Sequence, residues 1–336
     1  MKYTEFFSAV KNKAFAPCYL FEGEEEYIKQ SALAALRAAV LPEGMESLNE
    51  NVFENPAADE LIAALETMPF MGDYRLVIAK DCAFLSGKGR EEDAEKLLKY
   101  LEDMPPTSLL VFYVRGTADG RKKLYQKLKT KNAIVTFAPL DDMELTRWVA
   151  QTLKPFGKVM TGDTCRYFTF TVGRDVALLK GELQKLCAHQ GEREEITKED
   201  IDNVCIKSVE CTVFELTDEI ALGHTARAIT LLNHLLKNGA ERIGILQMIL
   251  RQYRILYHLT LMMADGLSPQ QIQKNLGIPP FAVDRARRQA AAYNARSLKK
   301  AVDLIMDTDF RIKSGKLSQD GVPENIILTL GAKQWK

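Results

Sequence analysis

The chain has 336 residues; 46% are hydrophobic and 27% charged, with 45 basic and 45 acidic side chains in balance. That composition excludes a disordered chain, and no run of about 18 apolar residues is present to cross a bilayer. At about 150 residues per domain, two or three domains are expected. The N-terminus, MKYTEFFSAVKNKAFAPC, has charges every few residues and no apolar core, which argues against a secretory signal. Cysteines 18, 82, 165, 187, 205 and 211 lie far apart with no CxxC spacing, and read as small hydrophobes of a reducing cytoplasm. The four histidines lack metal-ligand spacing, so no metal and no cofactor is expected. The even charge hides an asymmetry. Residues 1–66 carry 12 acidic and 5 basic side chains, whereas residues 208–336 carry 12 acidic and 17 basic. The first segment should repel polyanions and the last should tolerate them weakly.

Through residue 140 two periodicities alternate. Apolar, β-branched or aromatic runs at Pro17–Phe21, Asn51–Phe53, Leu76–Ala79, Leu109–Val114 and Ile134–Phe137 predict strands. RLVIAKD, SLLVFYV and AIVTF are nearly continuous in apolar residues, as strands covered on both faces require. Helical patterns at Tyr27–Val40, Ala57–Thr67, Glu92–Leu101 and Lys122–Lys129 lie between them. This alternation implies a parallel sheet with right-handed crossovers. Beyond Asp141 the strand signal nearly vanishes. Asp141-Asp142 caps a helix over Met143–Leu153 that ends at Lys154-Pro155. Asp175–Ala188 has apolar residues at 176, 179, 183 and 186, one helical face. Thr197-Lys198-Glu199-Asp200 is a capping-box variant opening Ile201–Ile206. Arg242–Ala264 carries leucines and isoleucines through both faces and is expected at the centre of a bundle. Ser268-Pro269-Gln270-Gln271 supplies an N-cap, a first-turn proline and a Gln three residues after the cap. Helices over Phe281–Tyr293, Leu298–Ile312 and Asn325–Leu330 follow. The expected architecture is an α/β domain over residues 1–140, a small helical domain over 141–209 and a helical domain over 210–336.

A parallel α/β domain ahead of helical bundles suggests a P-loop ATPase, whose first strand should run into a glycine-rich turn that holds phosphates. Here Cys18-Tyr19-Leu20-Phe21 runs into Glu22-Gly23-Glu24-Glu25-Glu26-Tyr27. One glycine remains, and four carboxylates stand where the lysine and hydroxyl should be. Acidic residues suit a helix N-terminus but repel a triphosphate. No GxxxxGK[ST] occurs, and Gly87-Lys88 in FLSGKGRE reads as a loop. An apolar run ending in paired acids, as needed for Mg²⁺, is also missing. GxSxG and HExxH are absent, and no Cys–His pair can be singled out. The expectation is a nucleotide-binding fold from which the nucleotide chemistry is gone.

The opening CYLFEGEEEYIKQSALAALR resembles the start of the delta subunit of the bacterial DNA polymerase III clamp loader. ALETMPFMGDYRLVIAKD, DGRKKLYQKLKTKNAIVTFAPL and VGRDVALLKGELQKL are similar to that family in the same order. So are VFELTDEIALGHTARAITLLNHLL, LRQYRILYHL, PPFAVDRARRQA and DTDFRIKSGK, so that the resemblance covers essentially the whole chain. It implies an N-terminal domain like those of AAA+ ATPases that binds no ATP, a lid-like helical domain and a collar domain for oligomerisation. It also implies a noncatalytic subunit of a DNA-directed DNA polymerase complex, a nucleotidyltransferase. Such a subunit would act in the cytoplasm at the replisome and away from membranes. The implied partners are the sliding clamp (beta subunit), the tau/gamma ATPase subunits, the delta-prime subunit and, through the assembled complex, primed DNA. The chain lacks the Ser-Arg-Cys motif of the ATPase partners and should supply neither an ATP site nor that arginine finger. The competing reading is a diverged AAA+ ATPase or helicase-like enzyme acting on nucleic acid.

Met68-Pro69-Phe70-Met71-Gly72 follows the helical pattern of Leu61, Ile62 and Leu65, and Pro69 should stop that helix and leave Phe70 and Met71 projecting. In the resembled family an apolar pair at this helix end plugs a pocket on the clamp; Pro69 and Phe70 match it, with Met68 and Met71 beside them. The plain alternative is that these residues fold back onto the sheet as core. In the run Arg121-Lys122-Lys123-Leu124-Tyr125-Gln126-Lys127-Leu128-Lys129, Leu124 and Leu128 share one face. It reads as a solvated amphipathic helix, or more sharply as a phosphate-contacting patch. Arg285, Arg287 and Arg288, with Lys299 and Lys300, could face DNA or partner subunits.

Overall fold

Strands β1 (Cys18–Glu22), β2 (Glu50–Glu54), β3 (Arg75–Lys80), β4 (Ser108–Tyr113) and β5 (Ile134–Thr136) form one parallel sheet in the order β2-β3-β4-β1-β5. Leu20 of β1 is in register with Phe112 on one side and Ile134 on the other. The sheet belongs to the first of two compact units, Met1–Glu144 and Leu145–Lys336; the computed structural model describes residues 1–86, 91–278 and 280–332. Gly87-Lys88 lie outside the described residues.

β1 and β4 are buried along their whole length, as their unbroken apolar runs require. Alternate side chains serve opposite faces. On one face Cys18, Leu20, Val77, Ala79, Leu110 and Phe112 meet α4 (Ala58–Leu65), α5 (Glu91–Tyr100) and α6 (Lys123–Thr130). On the other, Phe6 of α1 (Tyr3–Lys11) stands edge-on to Tyr19 and Phe21, with ring centroids 5.0 and 4.9 Å away. Helix α2 (Glu26–Val40) packs beside α1. Helix α1 and the single turn α3 (Glu46–Asn49) were not expected from the sequence. Helix α4 ends at Leu65, earlier than the pattern to Thr67 suggests, so the stop comes before Pro69.

α7 (Asp142–Leu153) begins at its expected cap, where Asp141 Oδ1 accepts from the Glu144 amide at 2.7 Å. It is followed by α8 (Gly162–Val172), α9 (Val176–Gln190) and α10 (Lys198–Val204). The sequence offered no element for α8. Its mix of aromatic and β-branched residues hides a helical face of Cys165, Phe168 and Val172. Thr197 and Asp200 form the expected capping box of α10. Beyond them lie α11 (Val209–Leu222), α12 (Thr225–Lys237), α13 (Arg242–Ala264), α14 (Pro269–Leu276), α15 (Pro280–Ala290), α16 (Ala295–Lys313) and α17 (Val322–Gly331). Helix α13 is the axis of this bundle. Its Ile245, Ile249, Leu256 and Leu259 are buried among residues of α11, α12, α15, α16 and α17. All six cysteines are unpaired and buried. No described helix is long and apolar enough to cross a membrane. Among the described residues no three His, Cys, Asp or Glu converge as a metal site would need.

Candidate functional site

In open parallel sheets a ligand sits beyond the carboxyl ends of the strands where the strand order reverses, here between β1 and β4. The five residues expected to form a degenerate phosphate loop occupy that place. Glu22 is buried at the end of β1 and accepts hydrogen bonds from the Ala118 amide and the Tyr125 hydroxyl, both at 3.0 Å. Gly23 has φ +123°, a conformation suited to glycine. A Cβ there would lie 2.2 Å from the Phe137 carbonyl oxygen. Its amide donates to Gly116 O at 2.6 Å, and the Glu25 amide donates to Phe137 O at 2.9 Å. Two amides of the loop, those of Gly23 and Glu25, are thus already committed to protein carbonyls. Glu24 is exposed, and Glu26 opens α2.

The interior of this crevice is taken by Lys29, which is fully buried. Its Nζ donates to Gly23 O at 2.8 Å, to Val114 O at 2.9 Å and to Glu26 Oε2 at 3.2 Å, and sits 5.0 Å from the centre of the Tyr113 ring. Tyr113 donates its hydroxyl to Glu26 Oε1. Burial works to raise the Glu26 carboxyl, but the Tyr113 hydroxyl and the Lys29 ammonium more than offset it and hold Glu26 below its ordinary value. A buried ammonium needs its donors satisfied, and here two backbone carbonyls and a carboxylate do so. One lysine therefore ties the loop after β1 to the loop after β4.

At the other end of α2 and β3, Met68, Phe70 and Met71 are 80%, 52% and 76% exposed, and Pro69 is partly exposed. They do not fold back as core. Helix α4 already ends at Leu65, and Thr67 Oγ1 donates to Ala63 O at 3.0 Å, so Pro69 lies within the projecting segment. Met71 has φ +51°. Gly72 lies against Pro42, where an added Cβ would approach Pro42 Cγ to 2.7 Å. Asn49, fully buried at the end of α3, accepts from the Phe70 amide at 2.6 Å and donates to the Phe70 carbonyl at 2.9 Å.

The basic residues are largely engaged. Arg121 pairs with Asp119 at 2.9 Å, Lys122 with Glu91 at 3.7 Å, Lys123 with Glu95 at 3.5 Å and Lys127 with Glu102 at 2.7 Å. In the second unit Arg285 Nε donates to Asp218 at 2.6 Å and its guanidinium stacks 4.8 Å from the Phe214 ring centre. Arg285 also lines a groove of about 720 Å³ with Arg227, Arg288, Leu222 and Leu231. Arg287 and Arg288 are exposed.

The family described as DNA polymerase III, delta subunit, matches residues 19–138, and that described as DNA polymerase III delta subunit, C-terminal domain, matches residues 210–330. The chain belongs to the delta subunit family of DNA polymerase III. The DNA polymerase III subunit delta of Bacillus subtilis is 29% identical over 97% of this chain and 96% of its own length. The probable delta subunit of Aquifex aeolicus is 25% identical over 77% of this chain and 75% of its own. The solved structure of the Bacillus subtilis DNA clamp loader delta protein superposes with a TM-score of 0.59 and 28% identity, covering 98% of this chain and 99% of that one. Membership and the structure bear out the expected class: a parallel α/β unit followed by helices.

Sequence reasoning missed two residues in this delta-family chain. Lys29 left a trace, since it stands in the buried stripe Lys29, Ala32, Leu33, Leu36, Val40 of α2, a charge where the spacing calls for an apolar side chain. Asn49 left none, because its partner is the backbone of a residue 21 positions away.

Proposed function

We propose that this chain is the noncatalytic subunit of the clamp loader that binds the ring-shaped sliding clamp and opens it for loading onto primed DNA. The observation that carries the reading is the exposed apolar tip of Met68, Phe70 and Met71 on a braced segment. An aromatic flanked by two methionines is costly on a free surface unless it serves an interface. Phe70 is the anchor; Met68, Pro69 and Met71 adapt to the rim of the pocket it fills. Residues 1–140 would carry the clamp-binding function, 141–209 a lid-like role and 210–336 assembly with the tau/gamma and delta-prime subunits in the cytoplasmic replisome. Gly116 and Phe137 occupy two of the loop amides and Lys29 fills the crevice, so the chain should contribute no ATP site of its own, and calorimetry with Mg-ATP should register no binding.

Phe70→Ala tests the reading. Truncating a central aromatic anchor costs about 2–4 kcal/mol of binding, or roughly 30- to 1,000-fold in affinity. Surface plasmon resonance against purified clamp should show that loss, while circular dichroism shows the thermal midpoint unchanged. Undiminished affinity would remove the tip from the clamp interface.

A further inference from the structure

Phe70 is presented by a side chain rather than by its own secondary structure. Helix α4 ends five residues earlier, and no strand begins until Arg75. In the gap, one carboxamide meets both backbone polar groups of Phe70, the pairing that a neighbouring strand would otherwise supply. Asn49 is fully buried, and its Nδ2 also donates to Met45 O at 3.2 Å. A buried amide is costly unless its donors and acceptor are used, and here all are. Met71 then takes a left-handed conformation that an L-residue adopts only at a cost, and Gly72 is set against Pro42. The tip is therefore pinned at Phe70 and at Gly72 by the segment 42–49, while the side chains of Met68, Phe70 and Met71 stay exposed.

We infer that Asn49 is the positioning residue of the clamp-binding tip. It holds Phe70 in its docking-ready place before the partner arrives, and the inference rests on the proposed role of Phe70. Binding then orders little of the tip, which is how preorganisation raises affinity.

The experiment is a double-mutant cycle in the full-length protein, read as affinity for purified sliding clamp. Asn49→Leu keeps the branching and the number of side-chain heavy atoms while removing the two hydrogen bonds to Phe70 and the one to Met45; Asn49→Ala is the second variant. Either should weaken binding about 10- to 100-fold, the range for losing two hydrogen bonds. In the Phe70→Ala background the same change should cost nothing more, because Asn49 acts through Phe70. An equal loss in both backgrounds would make Asn49 a general structural residue and overturn the inference. Normal affinity of the Asn49 variants beside a weak Phe70→Ala would also overturn it, leaving the role of Phe70 intact. Normal affinity of Phe70→Ala would remove both. Should the variants fail to fold, hydrogen exchange in the wild type decides: the Phe70 amide must be protected relative to an unstructured peptide, and free exchange there would sink the idea.

Discussion

Lys29 Nζ lies 2.9 Å from the carbonyl oxygen of Val114, 85 residues further along the chain. This internal ammonium joins the loop after β1 to the loop after β4 across the crevice between them.

Removing that ammonium should be costly. Lys29→Ala leaves two buried backbone carbonyls without their donor and a cavity where the stem packed, which together cost about 3–5 kcal/mol. Lys29→Met keeps the packed stem and should lose about 1–3 kcal/mol, the cost of unmade hydrogen bonds. Denaturant unfolding followed by circular dichroism gives both values. Wild-type stability in both variants would mean that the crevice needs no internal tie.

The same cluster sets a pH dependence. Glu26 titrates below its ordinary value in the folded protein because the Tyr113 hydroxyl and Lys29 outweigh its burial. A depressed carboxyl stabilises fully above the unfolded-state value, about 4.3, and that stability is lost as pH falls through the lower folded value. Thermal midpoints should therefore drop on acidification below about pH 4.3, and Glu26→Gln should flatten that part of the curve. An identical acid limb in the variant would exclude Glu26 as its source.

Gly23 and Gly44 both have positive φ, +123° and +78°, but only Gly23 faces backbone at 2.2 Å; nothing lies within 4 Å of a Cβ at Gly44. Gly23→Ala should cost about 2–5 kcal/mol, strain and clash together, because a backbone carbonyl cannot swing aside. Gly44→Ala should cost only about 1–2 kcal/mol, from conformation alone. Comparable losses at the two sites would show that the close approach of Phe137 contributes nothing.

Much of this fold was legible because its signals are local. The unbroken apolar blocks of β3 and β4 are buried by neighbours on both faces, and α13 appears at its expected limits because both of its faces are apolar. Ser268 and Gln271 cap α14 as their spacing demands. The site was legible only in part. Phe70 stood out through the resemblance to the delta family, with Pro69 expected to leave it projecting; the residues by themselves also allowed it to be core. Lys29 and Asn49 did not, since each bonds to backbone carbonyls or amides brought in from elsewhere in the chain, and backbone groups carry no residue identity for a sequence to display. Helix α8 was hidden for a different reason: Phe168, Phe170 and Thr171 favour strands locally, and burial of one face against the bundle overrides them.

The ion pairs at the start of α6 bear on whether DNA could be held there. Arg121, Lys122 and Lys123 each lie against a carboxylate of this chain, at 2.9, 3.7 and 3.5 Å. A phosphate entering there would have to displace Asp119, Glu91 and Glu95 and then remain beside them. Exposed pairs are individually weak, but the repulsion left behind opposes a polyanion whether or not each pair persists. Each phosphate neutralised on duplex DNA contributes about −0.9 to the slope of log affinity against log salt. Replacing all three residues by Ala in the assembled complex should therefore leave the slope unchanged. Three lost phosphate contacts would instead make it shallower by about 2.7. Arg287 and Arg288 are the contrasting pair, exposed and in no ion pair among the described residues. The double change Arg287→Ala, Arg288→Ala should make the slope shallower by about 1.8 if both touch phosphate. An unchanged slope with reduced recovery of the complex would assign them to a protein partner instead. A shallower slope from the Arg121, Lys122 and Lys123 variant would show that DNA does displace the carboxylates, and that the helix is a phosphate-contacting surface after all.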